Sequence, residues 1–74
     1  MTYGIVLFHT TTSAIRSEKI LTQAGLSVKL VPTPRELSSD CGFSLRFLPE
    51  DEAEVRQNLD RAGVECEITF LTKS

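Results

Sequence analysis

One short pattern occurs twice in this chain and limits how the rest can fold. Ala24-Gly25-Leu26 and Ala62-Gly63-Val64 have the same order of residue types, 63 − 25 = 38 positions apart. Each glycine follows a run with helical spacing and precedes a run of β-formers. Glycine accepts the left-handed conformation that ends a helix, so each motif marks a helix stop followed by a strand. The chain therefore reads as two halves, each strand–helix–strand. At 74 residues it is one domain, spanning 1–74, with a single core.

The pieces of each half are legible. Tyr3-Gly4-Ile5-Val6-Leu7-Phe8 is rich in β-formers and apolar on both parities, which predicts a central strand. A helix follows from about Ser13 to Ala24, with Ala14, Ser17, Ile20, Leu21 and Ala24 on one face and Gly25 as its stop. Leu26 to Val31 is the second strand, ended by Pro32. Thr33-Pro34-Arg35-Glu36 has the form of an N-cap, a proline at the first position and a capping-box glutamate. It predicts one short helical turn from Pro34 to about Ser39. Phe43 to Leu48 is the third strand, with Phe43, Leu45 and Phe47 facing inward. Pro49-Glu50-Asp51-Glu52 opens a second helix with the apolar stripe Val55, Leu59 and Ala62, stopped by Gly63. In the last strand, Val64 to Phe70, Val64, Cys66, Ile68 and Phe70 point inward.

The order βαββαβ predicts an α+β, ferredoxin-like two-layer sandwich. Its four-stranded antiparallel sheet has the order 4-1-3-2, and both helices lie on one face. The link from Val31 to Phe43 exceeds a plain hairpin, and long links are often functional. The face without helices is expected to carry Val6, Phe8, Val31, Leu48 and Leu71, rimmed by Lys29, Arg46, Glu65 and Glu67. An apolar centre with a charged rim suits a homodimer or a partner protein.

Composition excludes several functions. The net charge is -2 and no run of Lys or Arg interleaves with aromatics, which argues against a nucleic-acid surface. No apolar stretch is long enough to span a membrane, and Met1-Thr2-Tyr3-Gly4 has no leader pattern, so a cytoplasmic protein with reduced cysteines is expected. Neither a glycine-rich phosphate loop nor metal-ligand spacing around Cys41, Cys66 and His9 is present, so no cofactor or metal is expected. Glu50, Asp51, Glu52 and Glu54 read as a solvated helix start, and Ser38, Ser39 and Asp40 lack a base partner for serine chemistry. No complete catalytic constellation emerges, so the chain is not expected to be an enzyme.

The one candidate reactive atom is the thiol of Cys41. In the expected topology the third strand starts where the first one ends. Cys41-Gly42, His9, the threonine run and the N-terminus of the first helix then share one end of the sheet. The partial positive charge of that helix end favours a thiolate, and Arg35 adds to it. Gly42 leaves one side of Cys41 open to a bulky partner. The simpler reading is a cysteine acting as a small hydrophobe. Cys66, inward on a strand, reads as structural. A Cys41–Cys66 disulfide is disfavoured, because the first strand separates the third and fourth by about 9–10 Å in all. His9 could orient or deprotonate Cys41, although a lone histidine after a strand is more often solvated.

Ala14…Glu18-Lys19-Ile20-Leu21…Ala24-Gly25, the run Val31-Pro32-Thr33-Pro34-Arg35-Glu36-Leu37-Ser38-Ser39-Asp40-Cys41-Gly42, and Leu45-Arg46-Phe47 resemble the Se/S carrier protein-like family of small bacterial domains. The resemblance covers most of the chain and is most specific in the run that ends on Cys41-Gly42. It implies a carrier of sulfur or selenium as a persulfide or selenopersulfide, whose partners are a cysteine desulfurase or a selenium-metabolism protein. Arg35, Ser38, Ser39, Asp40, Cys41 and Gly42 match the family motif; His9 and Cys66 do not carry over. The alternative function is a non-catalytic interaction module using the helix-free face, or a small ligand-sensing domain, with Cys41 structural. Loss of partner binding in Phe8→Glu, or a ligand that raises the melting temperature without modifying Cys41, would favour these.

Overall fold

Apolar residues on both parities place the first strand, β1 (Thr2–Phe8), inside the sheet rather than at its edge. The structure is a computed structural model, and it describes residues 2–37 and 42–72. Within them α1 (Thr11–Gln23), β2 (Val28–Pro32), β3 (Phe43–Phe47), a 3-10 turn (Pro49–Asp51), α2 (Glu52–Arg61) and β4 (Cys66–Thr72) follow in order. The sheet order is β2-β3-β1-β4 and every neighbouring pair is antiparallel. This is the predicted ferredoxin-like α+β topology.

Helix ends follow the local chemistry. α1 begins two residues earlier than its spacing suggested, because Thr10 takes the N-cap: its Oγ1 accepts the Ser13 N–H at 3.1 Å. Both helices end in the same closure. Leu26 N–H donates to Leu21 and Gly25 N–H to Thr22; Val64 N–H donates to Leu59 and Gly63 N–H to Asp60, all at 3.0–3.1 Å. Gly25 and Gly63 have φ of 84° and 72°, the left-handed region this motif requires. The repeated Ala-Gly-apolar pattern is thus a pair of Schellman caps. Each apolar residue after the glycine joins the core beside the residue whose carbonyl it caps.

The core lies between the sheet and the helices. Val6, Phe8, Leu45 and Phe47 meet Ala14 and Leu21 of α1 and Val55 and Leu59 of α2. Val28, Leu30, Cys66 and Ile68 pack against this cluster as predicted. At the far end of β1 the Phe47 ring lies against Gly4, where any Cβ would fall inside the ring, and Phe70 stacks edge-on to Phe47 at 6.0 Å. Phe43, expected inward, is 42% exposed because it sits at the end of the sheet opposite Pro32.

Two expectations are corrected. Val6 and Phe8 are not on the helix-free face: Val6 pairs with Leu45 and Ile68, and Phe8 with Cys66, which puts both under the helices. The helix-free side of β1 carries Ile5 and Leu7 instead, and they are buried at 0% and 8% exposure. The second correction concerns Thr33 to Leu37. The expected turn is closed at its start by Leu37 N–H to Pro34 O at 3.0 Å, and its end at Ser38 and Ser39 lies outside the described residues; what differs is the capping box. Thr33 N–H donates to the Gly42 carbonyl, so it is not given to Glu36 as a capping box would require.

Candidate functional site

The register gathers four strand termini at one end of the sheet. Leu7 lies opposite Ser44, Phe8 opposite Cys66, and Pro32 opposite Phe43. The ends of β1 and β2 and the starts of β3 and β4 are therefore together. α1 starts at this end too, three residues after Phe8, and its first turn has no acidic side chain. Its N-terminal dipole is offset by no carboxylate of its own first turn. His9 is exposed at the same end.

The segment that the sequence singled out leaves and rejoins the sheet here. Thr33 N–H donates to Gly42 O at 3.0 Å, so the two ends of the link between β2 and β3 are tied to each other. Gly42 is exposed, and among the described residues nothing but its chain neighbour comes within 4 Å of the position a Cβ would take. Arg35 is exposed in the turn that opens the link. Ser38, Ser39, Asp40 and Cys41 lie outside the described residues.

Cys66 is the second sulfur. It starts β4, is half-buried, and is a free thiol. It lines a groove of about 670 Å³ between α2 and β4 together with Arg56, Gln57, Asp60, Val64 and Ile68. Burial pushes its thiol up from the usual value of about 9, while the Arg56 guanidinium pulls weakly the other way. Cys66 therefore keeps its proton at neutral pH and is a poor nucleophile. Among the described residues no three His, Cys, Asp or Glu side chains converge on a common point where a metal ion could be held. None of the described helices is long and apolar enough to cross a membrane.

Sequence reasoning missed Ser44. It is the second residue of β3, fully buried on the helix-free side beside Leu7, and its Oγ has no hydrogen-bond partner among the described residues. Ser17 in α1 is likewise buried with an unpartnered Oγ. Only a small hydroxyl among larger apolar residues hinted at Ser44 in the sequence.

The family described as "Putative Se/S carrier protein-like" matches the chain over residues 3–70, which takes in every element of the fold. Neither a curated protein nor a solved structure matches significantly.

Proposed function

Because the chain belongs to the Se/S carrier protein-like family, we propose that it carries sulfur or selenium on Cys41 as a persulfide or selenopersulfide. The observation that carries this reading is the family match over 3–70, which contains the whole Pro34-to-Gly42 run. Loading needs no cofactor. The Cys41 thiolate attacks the outer sulfur of a donor enzyme's persulfide, a new S–S bond forms, the donor's S–S bond breaks, and the donor leaves as a thiolate. Atoms and electrons balance without an oxidant. A cysteine desulfurase, or a protein of selenium metabolism, is the donor class that fits.

Other residues have supporting parts in this proposal. The N-terminus of α1 and Arg35 favour the thiolate; Gly42 gives the donor access; Ser38, Ser39 and Asp40 complete the motif around the sulfur. Cys66 takes no part, since its burial holds it as the thiol. The protein is a cytoplasmic carrier rather than an enzyme with turnover. Intact mass spectrometry after incubation with a cysteine desulfurase and cysteine tests this. The expected result is a gain of one sulfur mass that thiols reverse and Cys41→Ser abolishes. No adduct from an active desulfurase would overturn it.

A further inference from the structure

We propose that a hollow at the opposite end of the sheet from Gly42 binds the phosphate group of a small phosphate monoester. This site is independent of the carrier reading. The hollow has a volume of about 420 Å³, and its lining includes Thr2, Tyr3, Ser27, Lys29, Arg46 and Leu48. Such a volume suits a small molecule rather than a bare ion. Arg46 is four positions beyond Gly42, roughly 13 Å along the strand direction.

Its charge arrangement calls for an anion. Lys29 on β2 and Arg46 on β3 are directly opposite in the register and share the helix-free face. Like charges placed directly opposite destabilise a sheet. Neither has a carboxylate partner among the described residues, and the lining includes no Asp or Glu. The Arg46 guanidinium is held 5.6 Å above the centre of the Tyr3 ring, which fixes its plane beside the hollow. Two neighbouring cations favour a ligand with two negative charges. A phosphate monoester supplies nearly two at neutral pH, whereas a carboxylate supplies one. Arginine's planar fork and the lysine ammonium are the usual pair of phosphate donors, and the Ser27 hydroxyl adds a neutral donor. The walls then say what the phosphate is attached to. The Tyr3 ring and the 45% exposed Leu48 give an apolar side that inorganic phosphate leaves uncovered.

Amide chemical shifts of the full chain, titrated with phenyl phosphate, inorganic phosphate and benzoate, test the proposal. Phenyl phosphate should saturate with shifts clustered on Ser27 to Lys29 and Arg46 to Leu48. Inorganic phosphate should bind at the same place more weakly, and benzoate at least about tenfold more weakly than phenyl phosphate. Lys29→Gln and Arg46→Gln, both at exposed positions, should each weaken phenyl phosphate about tenfold. The Lys29→Gln protein without ligand should melt no lower than the parent, because the like-charge pair is gone. Benzoate binding as tightly as phenyl phosphate, shifts centred on another part of the molecule, or affinity unchanged in both variants would overturn the site. So would saturation by an acidic peptide but not by phenyl phosphate.

Discussion

Single atoms decide how the two sulfurs differ. Cys66 sits where Phe8, Val64 and Ile68 pack, and water is partly excluded from its Sγ. Desolvation disfavours the thiolate, so the folded-state pKa lies above that of the unfolded chain. The stability this thiol contributes is fully present below its ordinary titration range. It is lost as pH rises through that range toward the raised folded value, because the unfolded chain gives up its proton first. Urea unfolding of the parent and Cys66→Ala should therefore show a stability gap at pH near 8 that narrows by about pH 10. A gap that stays constant would mean the sulfur is not desolvated. A thiolate-specific alkylating agent at neutral pH should modify Cys66 more slowly in the folded protein than in urea.

At the scale of elements, the two Schellman caps carry the connection from each helix into the next strand. Gly25 and Gly63 meet open space where a Cβ would stand, so a substitution there is costly for its backbone angle and not for any clash. Gly25→Ala and Gly63→Ala should each lower stability by about 1 kcal/mol, from the left-handed penalty of an L-residue. Thermal melts of both single variants and the double variant check this, and the losses should add because the two caps are separate. The Arg16 guanidinium donates to the Ala62 carbonyl at 3.4 Å, placing a cation at the C-terminal end of α2 and linking the helices. The two caps depend on residues no more than five positions apart, which is why Ala-Gly-apolar could be read in advance. The stretch after Pro32 could not be read that way. Its capping box was locally sound, but Thr33 N–H found a partner across the link in Gly42, nine positions away (42 − 33).

For the whole molecule, the question is which face of the sheet is the core. Phe8 is 2% exposed and packs with Ala14 and Leu21, so Phe8→Glu would bury a charge under the helices. It should unfold the chain, seen as collapse of amide shift dispersion, and so cannot serve to probe a partner surface. A native-like spectrum for that variant would contradict the placement of β1. The helix-free face is also less available for docking than its composition suggested, since Ile5, Leu7 and Ser44 at its centre are buried.

Local pattern was enough for the element order, the two glycine helix stops, the central place of β1 and the inward parity of β2, β3 and β4. Each depends on neighbours along the chain or on a clean alternation of polar and apolar residues. The parity of β1 came from strand pairing. Its residues are apolar on both sides, so a shift of one residue in register looks equally good locally, and pairing with Leu45 and Ile68 settles it. The pairing of strands also brought Lys29 opposite Arg46, residues 46 − 29 = 17 apart in sequence. It likewise left the Ser44 hydroxyl buried without a partner among the described residues. Register is a relation between distant segments, and no local pattern encodes which side chains it will bring face to face.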